Sequence, residues 1–215
     1  VERLAAEAPD LAEAARIDLV DTRGAPQTNE AVLGDGLVLV AAAPILDYAG
    51  EVIGSLYGGL LLNHRVEIVD RIKDTVFEGD TYEGFDIGTA TLFLDDVRIA
   101  TNVLDESGAR AIGTRVSAEV YQRVVVEGER WLGRAYVVRD WYLTGYTPLR
   151  NVEGDVLGML YVGLLERPYS DLKTRSTLLF VGITLGGVAL ATAISFFVSR
   201  RLSTPVRALV KASRR

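Results

Sequence analysis

Two stretches of the chain carry residues able to hold an anion. Arg134 and Tyr136 alternate in one run, and Tyr142, Thr144 and Tyr146 alternate in the next. Alternate residues of a strand share a face. A guanidinium presents a planar fork that matches a carboxylate, and neighbouring hydroxyls complete the hydrogen bonds. Arg98 lies among apolar neighbours in VRIATNV and is a second candidate clamp. Which side chains converge depends on the turn between the two runs. A two-residue turn sets Arg134 with Trp141 and Leu143, whereas a three-residue turn sets it with Tyr142 and Tyr146. Few acids compete for these cations, because Asp95, Asp96 and Asp140 fall in turns.

Other chemistry is hard to assemble. No phosphate-binding loop, zinc-ligand spacing or nucleophile elbow is present. The chain has no cysteine, which excludes disulfides, thiolate metal sites and covalently attached c-type haem. Its single histidine, His64, opens a helix and reads as a surface or linker residue. No cofactor, no metal and no catalytic set are expected.

The candidates need a sheet to carry them, and the sequence repeats one. PILDYAGEVIGSLYGGLL at 44–61 and PLRNVEGDVLGMLYVGLL at 148–165 share nine of eighteen positions without a gap, at an offset of 104 residues. Each copy reads as a strand ending at proline, a turn closing at glycine, and a long apolar strand. Around the second copy, Thr89–Leu94 and Val97–Val103 read as strands joined at Asp95-Asp96. Residues 117–127 form a short helix capped by Ser117 and Gly128. Gly133–Val138 and Trp141–Thr147 form a hairpin around Arg139-Asp140, and Asp155–Leu165 is the last strand. Around the first copy we expect a helix near 2–15, an extended piece at Ile17–Asp21, a polar loop at Arg23–Glu30, and strands Gly36–Ala43 and Glu51–Leu62. This copy has fewer elements, and an earlier transmembrane helix is expected upstream of it. Asn63 caps a helix from His64 to Glu78 with Val66, Val69, Ile72 and Val76 on one face.

Charge divides the chain into three solvents. Residues 1–175 carry 29 acidic and 17 basic side chains, residues 176–199 carry none, and residues 200–215 carry six basic residues and no acid. As a helix, Ser176–Ser199 spans roughly 36 Å at ~1.5 Å per residue, enough for a hydrocarbon core of ~30 Å. The basic residues after it place the tail in the cytoplasm, so residues 1–175 lie outside. An acidic ectodomain argues against nucleic acid as a partner. Gly182 and Gly186 give a GxxxG spacing that lets two helices approach, consistent with a homodimer. After Pro205 the helix restarts, and Val206, Leu209, Val210 and Ser213 begin a seam compatible with a coiled coil.

The segments GTATLFLDDVRIATNV (88–103), RAIGTRVSAEVY (110–121) and GRAYVVRDWYLTGYTPLRNVEGDVLGMLYVGLLE (133–166) resemble the extracytoplasmic double Cache domain, closest to the Cache 3/Cache 2 fusion of bacterial sensor histidine kinases and chemoreceptors. The tail TPVRALVKASRR is similar to the opening helix of a HAMP relay domain. The resemblance implies an α+β fold: PAS-like Cache units with antiparallel sheets flanked by helices, plus one C-terminal transmembrane helix. It implies a partial membrane-distal unit at 1–63, a linker helix at 64–79, and a membrane-proximal Cache unit at 80–168. A juxtamembrane segment at 169–175, a transmembrane helix at 176–199 and the start of HAMP at 200–215 follow. It also implies a pocket over the sheet face that takes a small carboxylate or amino acid, here through Arg98, Arg134, Tyr136, Tyr142, Thr144 and Tyr146. The protein would sit in the bacterial inner membrane as the sensory region of a two-component histidine kinase. The alternatives are a methyl-accepting chemoreceptor, or an ectodomain that senses a protein partner.

Topology is the first testable consequence. A reporter fused after Arg215 should be active in the cytoplasm, and one inserted near Ser107 active outside it. Extracytoplasmic activity of the Arg215 fusion would contradict the reading.

Overall fold

Glycine-closed turns and alternating apolar residues produce two hairpins of the same design. In the computed structural model, which describes residues 1–4, 9–138 and 140–212, β1 (Glu2–Leu4) is followed by α1 (Pro9–Ala15) and the short strands β2 (Ile17–Asp18) and β3 (Val32–Leu33). Then come β4 (Gly36–Leu46), β5 (Val52–Leu61) and α2 (Val66–Phe77). The short pair β6 (Thr81–Tyr82) and β7 (Phe85–Asp86) precedes β8 (Gly88–Leu94) and β9 (Val97–Thr101). Helix α3 (Ala118–Tyr121) runs into a π-helical turn over Gln122–Val126, and β10 (Trp131–Val137), β11 (Asp140–Arg150) and β12 (Val156–Leu165) complete the sheet. Its order is β10-β11-β12-β8-β9, antiparallel throughout. The mixed α+β class with antiparallel sheets is as expected.

At β8 and β9 the sheet is buried on both faces, and every position of these two strands is buried. One face meets α2, with Val69, Leu92, Leu94 and Ile99 at the contact, and Leu37 and Leu62 join the same core. Gly88 lies under the end of α2: a Cβ there would strike the Phe77 ring. The other face meets α3 and the loop before it, through Phe93, Val116, Val120, Val124, Tyr146, Met159 and Tyr161.

The repeat extends to register and turn. Val38 pairs with Leu61 as Tyr142 pairs with Leu165, and both hairpins shift register at matching places, Ile45/Leu46 and Leu149/Arg150. Asp47 Oδ1 accepts from the backbone of Ala49 and Glu51, and Asn151 Oδ1 accepts from that of Glu153 and Asp155. Gly50 and Gly154 close the turns at φ 85° and 99°, where a side chain is disfavoured.

Several local expectations need correction. Pro44 and Pro148 lie inside strands rather than ending them. Pro148 stands beyond Tyr146, the last β11 residue paired to β10, where a missing N–H leaves no strand partner unserved. Residues 2–4 are a strand on β4 rather than the start of the helix expected over 2–15, residues 5–8 lie outside the described set, and the described part of that helix is Pro9–Ala15. Asn63 does not cap α2. It is buried, accepting from the Leu37 backbone and donating to the carbonyls of Ala15 and Asp35, which ties three segments together. Ser117 does cap α3, accepting from Val120 N.

Arg167–Arg215 forms a separate unit. Helix α4 (Arg167–Ala212) runs unbroken through Pro205 instead of restarting there. Within it, Lys173–Arg200 is long and apolar enough to cross a membrane, and none of it is buried. Of the expected seam, Ser213 lies outside the described residues.

Gly158 gives a direct test of the sheet. A Cβ there would press into the Phe93 carbonyl of β8, so Gly158→Ala should cost ~1–3 kcal/mol of stability by chemical denaturation. At Gly54, its counterpart in the first hairpin, the nearest atom to a Cβ is Ile45 Cδ1 at 3.7 Å, and Gly54→Ala should not destabilise. Equal losses at the two positions would contradict this packing.

Candidate functional site

Register decides which of the anion-binding candidates meet. Val137 pairs with Asp140, leaving two residues in the turn, with Val138 at φ 56° and Arg139 outside the described residues. This is the two-residue alternative. Arg134 is therefore paired with Leu143 and Tyr136 with Trp141, on the face opposite Tyr142, Thr144 and Tyr146. Arg134 stacks over the Trp141 ring at 4.1 Å and donates from Nε to Glu166 Oε2 at 2.5 Å, with its side chain 53% exposed. Tyr136 is exposed and meets Trp141 edge-on. Neither residue joins the others, because an even-length turn keeps odd and even positions on separate faces.

Arg98 does lie on their face. It pairs with Phe93 across β9 and β8, and its guanidinium lies 5.3 Å from the Phe93 ring centroid. Only 5% of the residue is exposed. Nη1 donates to Thr114 Oγ1 at 2.8 Å, while Nε is buried without a hydrogen-bond partner among the described residues. Among those residues no acid pairs with it, and its side chain meets Thr114 and the Phe93 ring. Burial depresses its pKa, and Tyr146 and Tyr161 partly offset that. The nearby acids have other partners. Asp96 lies 2.5 Å from Arg115, Asp95 3.2 Å from Arg3, and Asp70 2.8 Å from Arg110.

Tyr146 and Tyr161 stack at 4.9 Å between centroids and are 4% and 0% exposed. Burial pushes the Tyr146 hydroxyl up to about 12, against the pull of Arg98. It raises Tyr161 further, although a bond to Thr89 Oγ1 at 3.0 Å acts the other way. Both phenols are therefore neutral donors at neutral pH. Thr144 is buried and donates to the Gly133 carbonyl, and Tyr142 is half-buried at the outer end of the same face. Thr91 and Thr101 bond to each other at 2.6 Å beneath the rings. The site is thus a buried cluster in which two phenols lie within electrostatic reach of a cation.

A loop seals the cluster. Thr114 accepts from the Arg98 backbone N–H, and Gly113 N donates to the Arg98 carbonyl. On its outer side the same loop holds the N-terminal region: Val20 N donates to Gly113 O, Ala118 N to Gly24 O, and Arg115 N to Thr22 Oγ1.

Sequence reasoning did not single out Tyr161 or Thr114. Tyr161 carried a signal, as one of the repeated positions and on the same alternation as Met159 and Gly163. Thr114 carried none, because its place depends on the path of a loop.

The geometry can be set beside known proteins. Residues 60–176 match the family model described as single cache domain 3. The matched span includes α2. Among solved structures, the periplasmic domain of Vibrio cholerae LuxQ is similar at 14% identity and a TM-score of 0.37, over 61% of this chain and 48% of that one. The likeness thus spans about half of the LuxQ chain. None of the curated proteins matches.

Proposed function

The chain belongs to the single Cache domain 3 family of extracytoplasmic sensing domains, and on that premise we propose that it is the sensory and membrane-crossing part of a bacterial receptor for a small carboxylate or amino acid. The observation that carries the proposal is Arg98. A buried guanidinium without an anionic partner costs several kcal/mol, and a bound carboxylate would supply the missing charge and accept from Nε and the Tyr146 hydroxyl. Access requires the 110–117 loop to lift, so binding would favour one of two loop states over the other. A ligand shifts such an equilibrium only by its differential affinity.

In this reading residues 1–63 are part of a second, membrane-distal Cache unit, as the repeated hairpin supports. The receptor would be a homodimer, with Gly182 and Gly186 free of any neighbour within 4 Å of an added Cβ among the described residues and available to a second helix. Residues 200–215 would open a HAMP relay leading to a histidine kinase, or to a chemoreceptor hairpin. A second reading, an ectodomain that senses a protein partner, draws on the closure of the site and on the exposed Leu132, Tyr136, Trp141 and Leu143 on the outer face.

The test is thermal stability of the full chain in detergent micelles with acetate, other short organic acids and amino acids. A ligand at 100 times its dissociation constant should add ~2.7 kcal/mol. Arg98→Met should abolish that gain and leave the unliganded chain at least as stable, since an apolar isostere removes the desolvation penalty. A ligand that stabilises Arg98→Met as well as the parent chain would refute the site.

A further inference from the structure

The loop that seals Arg98 is itself held from outside. On its inner side it lies along β9, the last strand of the five-stranded sheet. Arg98 N donates to Thr114 O, Gly113 N to Arg98 O, and Val116 N to Asp96 O. On its outer side residues 18–26 cross it. Gly113 is at φ 83°, and a Cβ there would strike the Asp18 carbonyl. Val20 N donates to Gly113 O, and Ala118 N donates to Gly24 O. Between these, Arg115 N donates to Thr22 Oγ1 at 3.0 Å and Arg115 Nη1 to Pro26 O at 2.6 Å.

The character of the crossing changes along its length. Ile17 is buried and Leu19 packs against the same core, so the start of the segment is fixed by apolar contact. From Val20 onward the segment meets the loop through hydrogen bonds. Beside them lies a cleft of about 450 Å³ lined by Asp21, Gln27, Asn29, Glu30 and Arg115 among others. A polar cleft admits water, which can replace these bonds one at a time. Regions held in this way open locally at far lower cost than a packed core.

Arg115 joins the two sides. Its backbone reaches Thr22, and its guanidinium reaches Pro26 and pairs with Asp96 in the turn before β9. Thr22 in turn donates from Oγ1 to the Val20 carbonyl, which folds the segment onto the loop.

We propose that residues 18–26 are a latch on the 110–117 loop, and that Arg98 becomes accessible only when this segment releases. Thr22 is the positioning residue of the latch. The inference deepens the reading of Arg98 as an anion site and rests on it for the identity of what enters.

Phenylglyoxal, a small arginine-directed reagent, is the probe, applied to the full chain in lipid nanodiscs and read residue by residue by mass spectrometry. Thr22→Val keeps the shape of the side chain and removes both of its hydrogen bonds. It leaves the Arg115 N–H without an acceptor in the latched state alone, so labelling of Arg98 should quicken roughly 10-fold. The exposed Arg16 should be labelled at an unchanged rate, and Thr22→Ser should restore the parent rate at Arg98. In the parent chain, the amides of Arg98, Gly113 and Val116 should exchange together and faster than those of β8 and β12. Arg98 labelling unchanged by Thr22→Val overturns the latch. Exchange of the three amides only in step with β8 and β12 overturns it as well, and that measurement needs no variant. Labelling that quickens in Thr22→Val yet is not slowed by acetate, other short organic acids or amino acids would leave the latch standing and refute the anion site.

Discussion

The desolvated guanidinium of Arg98 constrains the unit built around it. A cation withdrawn from water must recover its solvation from charge and hydrogen bonds, and here the recovery is incomplete. One nitrogen reaches Thr114, aromatic rings stand alongside, and Nε has no hydrogen-bond partner among the described residues. The neighbouring acids are drawn elsewhere, with Asp96 on Arg115 and Asp95 on Arg3. An apolar core of the same volume would be more stable. Keeping a cation in this position makes sense where an anion completes it, and the neutral Tyr146 hydroxyl can donate to that anion, while the Tyr161 hydroxyl is engaged with Thr89.

That constraint reaches outward through two connections. Thr114 binds Arg98 on the inner side of a loop whose outer side holds residues 18–24 of the N-terminal region. Tyr161 lies on β12, which ends at Leu165, with only Glu166 between it and the start of α4. In the proposed receptor a change at Arg98 would therefore act on the membrane-distal region through the loop and on the membrane helix through the strand. Coupling of this kind needs two states with different ligand affinity, and the loop is the element that can provide them.

Much of this was legible in the residues, and the failures have physical causes. The repeat was readable because turns and strand registers depend on glycines and apolar alternation, and the structure reproduces both down to the shared bulge. The candidates Arg98, Tyr146 and Thr144 share one face because strand alternation sets faces. Arg134 and Tyr136 part from them because of a single turn residue, a difference that composition does not encode. Asn63 looked like a cap and is instead a buried bracket for three backbone segments. Thr114 was invisible because its role arises from a loop folding over a sheet. The membrane helix needed only length and apolarity, and the family match covers the sheet and α2 but does not extend to the first hairpin beyond residue 60.

The central claim is that Arg98 Nε is the group a carboxylate completes. The direct measurement is the Arg98 Nε–H resonance in arginine-labelled chain held in nanodiscs, assigned by its loss in Arg98→Met. Titration with acetate, short organic acids or amino acids should, for the true ligand, move that signal downfield and slow its exchange with water, in proportion to site occupancy. A ligand that saturates the chain and raises its stability while the Arg98 signal stays where it was would contradict the account.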